Sequence, residues 1–197
     1  MAKKAPIMTH AYRNGLLLLA ATVSLAGHIS AQEHGAPVQT APSLAATIAA
    51  MPKNLPRAPG PSLDEALAAA QAAQQDCAAR HVPVSVLIAD NVGAPVVLLS
   101  GDGAGVRSQL IARTKARIVA RYAMASGEVE RQSKSNPQLI AEAAADPEIG
   151  VLRGGGFPVS RDGKILAIVA VSGGALSGVQ GLDEACAQTA VTRLLRR

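Results

Sequence analysis

The chain has 197 residues and a formal net charge of +5. It is 49% hydrophobic but only 2% aromatic, with no Trp, one Phe and two Tyr. Ala, Val, Leu and Ile supply the apolar content, which predicts a core of small aliphatic side chains and closely approaching helices. The shortage of aromatic rings argues against a stacking platform for single-stranded nucleic acid. The basic balance belongs largely to the N-terminus. Residues 1–31 hold Lys3, Lys4 and Arg13 and no acid, so without them the net charge is +2, a weak basis for binding polyanions.

Lys3, Lys4 and Arg13 precede an apolar run from Gly15 to Gly27, and Ile29-Ser30-Ala31 ends in a small residue before Gln32. This is the layout of a cleavable secretory signal peptide over 1–31. It predicts a periplasmic or secreted protein with no stable membrane insertion after cleavage. The apolar run is shorter than the roughly 20 residues that a spanning helix needs; an uncleaved anchor is the alternative. Residues 32–60 are rich in Pro, Ala, Gln and Thr and read as a spacer. Its prolines block any long helix, with room for a short one over Leu44–Met51. A tether, or an arm packed on a neighbouring subunit, both fit.

The folded domain is expected over 61–197. Ser62 and Glu65 form a capping-box pair, and Leu63, Leu67, Ala70, Ala73 and Cys77 follow on one helical face that ends near Arg80. Val84–Ala89 and Ala94–Leu99 read as two strands around the turn Asp90-Asn91-Val92-Gly93. A long helix is expected from Val106 to Met124, a polar loop from Ser126 to Asn136, and a short helix from Pro137 to Ala145. Phe157–Ser160 and Lys164–Val171 flank a tight turn at Asp162-Gly163, and a last helix runs from Gly181 to Leu195. The order is α-ββ-α-α-ββ-α, an α/β (α+β) arrangement of an antiparallel sheet with flanking helices.

Chemistry-bearing residues are few. Cys77 and Cys186 are the only cysteines; they form a disulfide if the chain is exported, or serve as small core residues. His81 is the one histidine of the domain, a candidate haem ligand or a surface residue, and no spacing suggests zinc. No G-x-S-x-G elbow and no phosphate-binding G-x-x-x-x-G-K-[ST] run occurs, so no catalytic constellation is visible. Arg113, Arg117 and Arg121 share one helix face at intervals of four, with Lys115 off that stripe. Such a stripe pairs with carboxylates or phosphates of a ligand, with solvent, or with a neighbouring subunit. Asp183 and Glu184 open the last helix, where acids complement the helix dipole.

Taken in order, these segments resemble a known family. VSVLIADNVGAPVVLL is similar to its opening hairpin, and IARTKARIVARY to its A-x-x-K-A-x-x-A helix, with Lys115 and Ala116 in the matching places. GGGFPVSRDGKILAIVAVSGG followed by LDEACA resembles its glycine-rich hairpin and its D-E-x-x-A helix start. The family is the GlcG/HbpS-like haem-binding family, also called haem-degrading or DUF336. The likeness covers about Ser62 to Leu195. Where the family has Phe-x-x-Pro-Thr, this chain has Tyr122-Ala123-Met124-Ala125-Ser126, and Val169 is bulkier than the family's glycine.

The resemblance implies a profilin-like fold, a homo-oligomer and a small-molecule ligand. For an exported member it implies haem binding linked to haem, iron or redox sensing. Arg113, Lys115 and Arg117 are then the cations for the propionates, and Tyr122, Met124, Ser126 or His81 the groups that approach iron. The alternative is a non-haem module of the same fold that binds an organic acid or a corrinoid. Oxidative haem breakdown is a third reading, without a visible catalytic dyad.

Overall fold

The computed structural model describes residues 43–196, so the leader expected over 1–31 lies outside the described residues. The chain divides into two units, Met1–Met51 and Pro52–Arg197. In the first, α1 (Leu44–Ala50) forms where a short helix was expected. Ser43 starts it, its hydroxyl accepting from the N–H of Ala46 at 3.2 Å. Met51 is already extended, as a residue before proline prefers.

The second unit opens with Arg57 donating to the Pro61 carbonyl and Pro59 accepting from the N–H of Asn91. Helix α2 (Leu63–Ala78) begins with the expected capping box: the Ser62 N–H donates to the Glu65 carboxylate at 2.8 Å, and the Glu65 N–H to the Ser62 hydroxyl at 3.3 Å. Its buried face differs from the expected one. Ala66, Ala69, Ala70, Ala73 and Cys77 are fully buried, whereas Leu63 and Leu67 are exposed. The cause is close packing against α6 (Leu182–Leu195), whose inner face carries Cys186, Ala187 and Ala190. Only small side chains fit between backbones that approach this closely. Ala66, Ala69, Ala70 and Ala73 therefore lie in the core.

Strands β1 (Ser85–Ala89), β2 (Pro95–Ser100), β3 (Gly156–Arg161) and β4 (Lys164–Ser172) make one antiparallel sheet in the order β2-β1-β4-β3. The two hairpins meet along β1 and β4, with Ile88 opposite Val169 and Ser85 opposite Ser172. Side chains alternate across the sheet. Val86, Ile88, Val169 and Val171 face α2 and α6. Leu87, Ala89, Ile168 and Ala170 face α3 (Val106–Tyr122), which brings Ala112, Ala116 and Val119. A central strand buried on both faces explains the uninterrupted apolar runs of β1 and β4.

The order of the expected elements holds, with one helix added. The segment 126–136, expected as a polar loop, carries α4 (Ser126–Ser133). Few of its side chains reach the interior, so it shows little apolar periodicity. Val129 docks into a third apolar cluster with Ile118, Ala143, Ile149 and Leu152, built between α3, α4 and α5 (Pro137–Ala145). Gln132 and Arg131 both bond back to Glu128. A short 3-10 turn, Ala175–Ser177, precedes α6. Cys77 and Cys186 are joined in a disulfide, with an S–S distance of 2.05 Å and a Cα–Cα distance of 5.8 Å. Among the described residues no helix is long and apolar enough to cross a membrane.

Candidate functional site

Lys115, the glycine run 154–156 and the acidic start of α6 meet at the C-terminal end of β4. Lys115 belongs to the inner stripe of α3, one turn from Ala112 and Val119, and is only 2% exposed. Its ammonium donates to the Asp183 carboxylate and to the Val171 carbonyl, both at 2.7 Å. Asp183 is equally buried and accepts from the Gly174 N–H through its other oxygen at 2.7 Å. Burial pushes the Lys115 ammonium below its ordinary pKa, and the Asp183 charge and hydrogen bond oppose that shift. The pair pins α3, the end of β4 and the start of α6 to one point.

The glycine run 154–156 exists to let backbone pass beside this pair. Gly155 has φ 108°, and a Cβ there would stand 2.7 Å from the Lys115 ammonium and 2.8 Å from the Val171 carbonyl oxygen. The N–H of Gly154 donates to Glu130 at 2.7 Å, and that of Gly156 to the Ser126 hydroxyl at 2.8 Å. A cleft of about 200 Å³ opens over the pair. Ile111, Ala175 and Leu176 supply apolar wall, and Glu130, Arg153, Ser172 and Glu184 supply polar groups.

The arginine row of α3 lies elsewhere. Arg117 pairs with Glu148 at 2.9 Å and approaches Asp146 at 3.9 Å, and Arg121 pairs with Asp146 at 2.8 Å. These bonds tie α3 to the turn after α5 within the same chain. The Asp146 carboxyl is held below the usual carboxylate range by the Glu148 backbone N–H; burial opposes this, and Arg121 and Arg117 reinforce it. Arg113 makes no ion pair among the described residues. Arg113 and Arg117 border a hollow of about 330 Å³ floored by Leu87, Val92, Ala94 and Pro95.

The remaining predicted residues are dispersed. Ser126 is buried and spent on Gly156. Tyr122 and Met124 pack on the third apolar cluster. The Tyr122 hydroxyl is buried without a partner among the described residues, and its ring lies 5.6 Å from the Arg121 guanidinium. His81 is exposed at the α2–β1 junction, beside a separate hollow bordered by Val82, Pro83 and Asp102. Structure thus joins Lys115 and Ser126 around one glycine run, and Arg113 with Arg117 at one hollow. It leaves Tyr122, Met124 and His81 away from both linings. Among the described residues no cluster of three His, Cys, Asp or Glu side chains is arranged for a metal ion.

Sequence reasoning missed three polar cleft residues, Glu130, Arg153 and Ser172, and the pairing role of Asp183. Only Asp183 carried a signal. A lysine on the inner stripe of a helix demands a buried acid, and Asp183 follows directly on a glycine-rich turn.

Comparisons with known proteins agree with this architecture. No curated protein matches the chain significantly. Among solved structures, protein ORFY of Klebsiella pneumoniae, assigned to DUF336, is 22% identical with a TM-score of 0.62, covering 75% of this chain and 98% of its own. A double mutant of HbpS from Streptomyces reticuli is 28% identical with a TM-score of 0.60, covering 78% of this chain and 96% of its own. The complex of PduOC with heme is 26% identical with a TM-score of 0.59, covering 68% of this chain and 94% of its own. The family model described as haem degrading protein HbpS-like matches residues 62–192, the stretch from the α2 capping box to the last turns of α6, and the chain belongs to that family.

Proposed function

We propose that the folded unit is an exported haem-binding protein. The observation that carries this reading is the hollow where Arg113 and Arg117, one turn apart on α3, stand over Leu87, Val92 and Pro95, with Glu148 on the rim beside Arg117. Its volume of about 330 Å³ falls in the range of small-molecule sites, roughly 300–1,000 Å³. A flat apolar ring suits the apolar floor, and its carboxylate arms meet Arg113, which is unpaired among the described residues, and Arg117, which would exchange Glu148 for a propionate. Family membership and a relative solved with heme support the same ligand class.

The donor set sets a limit. Haem iron is usually held by His, Met, Cys or Tyr, and none of these lines the hollow. The residues fit the porphyrin and its propionates and supply no usual axial ligand. The expected state is haem held by its edge and face. A titration of the mature protein with haem, read by the Soret band, tests this. A saturable shift at micromolar haem that weakens at least tenfold in the Arg113→Gln/Arg117→Gln variant is expected. No saturable shift, or one indifferent to both arginines, refutes it.

Export to the periplasm or beyond rests on the signal-like leader and is supported by the Cys77–Cys186 disulfide, which persists in oxidising compartments. Self-association is supported by exposed Leu63 and Leu67 on α2; a monomer by light scattering at micromolar concentration refutes it. A link from haem to redox or iron sensing belongs to the same proposal, and its readout is a haem- or redox-dependent change in that assembly.

A further inference from the structure

The haem reading leaves the cleft above Lys115 and Asp183 without an occupant. The geometry points to a second binding site there, for a compact zwitterion of amino-acid size. The electrostatics argue for both signs in one ligand. Lys115 and Asp183 neutralise each other at 2.7 Å. Around them stand two further carboxylates, Glu130 and Glu184, and one further cation, Arg153. Neither Arg153 nor Glu184 forms an ion pair among the described residues. A plain anion meets two carboxylates, and a plain cation leaves Arg153 unanswered. A molecule with one ammonium and one carboxylate satisfies both.

A second observation points to a ligand independently. Ser172 is 1% exposed, lines the cleft, and its hydroxyl makes no hydrogen bond among the described residues. The hydroxyl is not a sealed orphan: with no bond inside the fold, it is left to bond to whatever fills the cleft it lines. Beside it α6, a helix of 14 residues, starts at Gly181 with no side-chain cap. Its first N–H groups therefore add donors for a carboxylate. Ligand carboxylate thus goes to Arg153 and Ser172, and ligand ammonium to Glu184 and Glu130. Ile111 and Leu176 leave space for a short aliphatic chain. The cleft volume of about 200 Å³ equals that of some seven waters at ~30 Å³ each, which limits the ligand to about ten non-hydrogen atoms.

The test is isothermal titration of the mature protein with three probes that share an isobutyl group: L-valine, isovalerate (no ammonium) and isobutylamine (no carboxylate). L-valine is expected to bind at least tenfold more tightly than either fragment. Glu184→Gln is expected to remove its advantage over isovalerate, and Arg153→Gln its advantage over isobutylamine. Both side chains lie at the cleft rim outside the apolar core, and circular dichroism verifies that the variants fold. Equal binding of isovalerate and L-valine overturns the zwitterion assignment, as does equal binding of isobutylamine. No heat from any probe at millimolar concentration overturns the site. Haem titration of the Glu184→Gln variant is expected to match wild type, so the two sites fail or stand separately.

Discussion

Replacing Asp183 by Asn isolates what the buried ion pair contributes. The change is nearly isosteric, but one of the two acceptor oxygens becomes an NH₂ donor. It must then face either the Lys115 ammonium or the Gly174 N–H, each now 2.7 Å from an oxygen. In either orientation Lys115 keeps the Val171 carbonyl but loses the Asp183 charge, and its side chain is 3% exposed. Stranding one charge of a buried pair costs about 3–5 kcal/mol. Lysine has an escape: it can deprotonate, which costs about 4–5 kcal/mol at pH 7 and about 2 kcal/mol at pH 9, at 1.36 kcal/mol per pH unit below its ordinary value. The deficit at pH 7 is therefore about 3–5 kcal/mol, and at pH 9 no more than about 2 kcal/mol. The sign follows from proton counting. Removing Asp183 removes the charge and hydrogen bond that oppose the lowering, so Lys115 releases its proton at lower pH in the variant than in the wild type; over that interval the unfolded chain binds the proton that the folded variant has released, and the deficit shrinks as pH rises. Urea denaturation of both proteins at pH 7 and pH 9, disulfides intact, measures it. A loss under about 1 kcal/mol at pH 7, or a deficit that does not shrink at pH 9, refutes the reasoning. The Lys115→Met/Asp183→Leu double variant is expected to be more stable than Asp183→Asn alone, because no charge is stranded.

Three further outcomes are expected. Gly155→Ala forces a methyl against the Lys115 ammonium and the Val171 carbonyl at a φ of 108° and should destabilise by at least about 2 kcal/mol; an unchanged denaturation midpoint contradicts the close approach. Opening the Cys77–Cys186 bridge, which spans 109 residues, should cost about 2–5 kcal/mol. Both cysteines are fully buried, so a thiol reductant should cut the bridge quickly only in denaturant, and fast trapping of free thiols in buffer alone counts against it. Asp146→Asn should lower the melting temperature by a few degrees at pH 7. A depressed carboxylate stabilises fully above its unfolded pKa near 3.9 and loses that contribution as pH falls through its lower native value, so the gap between the two proteins should close as acid protonates Asp146. A constant gap excludes the Asp146 network as the source.

The hairpins were legible because their pattern is local. VSVLIA, the Asp90 turn and the Lys164–Val171 run each carry their own signal, and the Asp90 carboxylate accepts from Val92 and Ala94 as such a turn requires. The partner of each hairpin was not local. β1 finds β4 across the whole middle of the chain, and nothing in either strand names the other. Helix α4 was missed because it presents few apolar side chains to the core, and periodicity cannot register so sparse a face. Leu63 and Leu67 misled for the opposite reason: they are more apolar than Ala66 and Ala69, but the space between α2 and α6 selects by size. The arginine row drew attention by its regularity, yet Arg117 and Arg121 answer to Asp146 and Glu148. Lys115 was marked by resemblance and by lying off that row. Its meaning needed the third dimension, since Asp183 sits 68 residues further along.

The Cys77–Cys186 bridge gives the fold a sense of time. Cys77 lies in the first helix of the second unit and Cys186 in the last, with all four strands and the Lys115 cleft inside the loop they close. A chain delivered N-terminus first presents Cys77 early and Cys186 only near its end. The covalent clasp therefore cannot form on a partial chain. Any protein interrupted before α6 lacks both the clasp and Asp183, and so leaves Lys115 charged and alone. Completion of the sequence, rather than the appearance of any one strand, is what locks the domain.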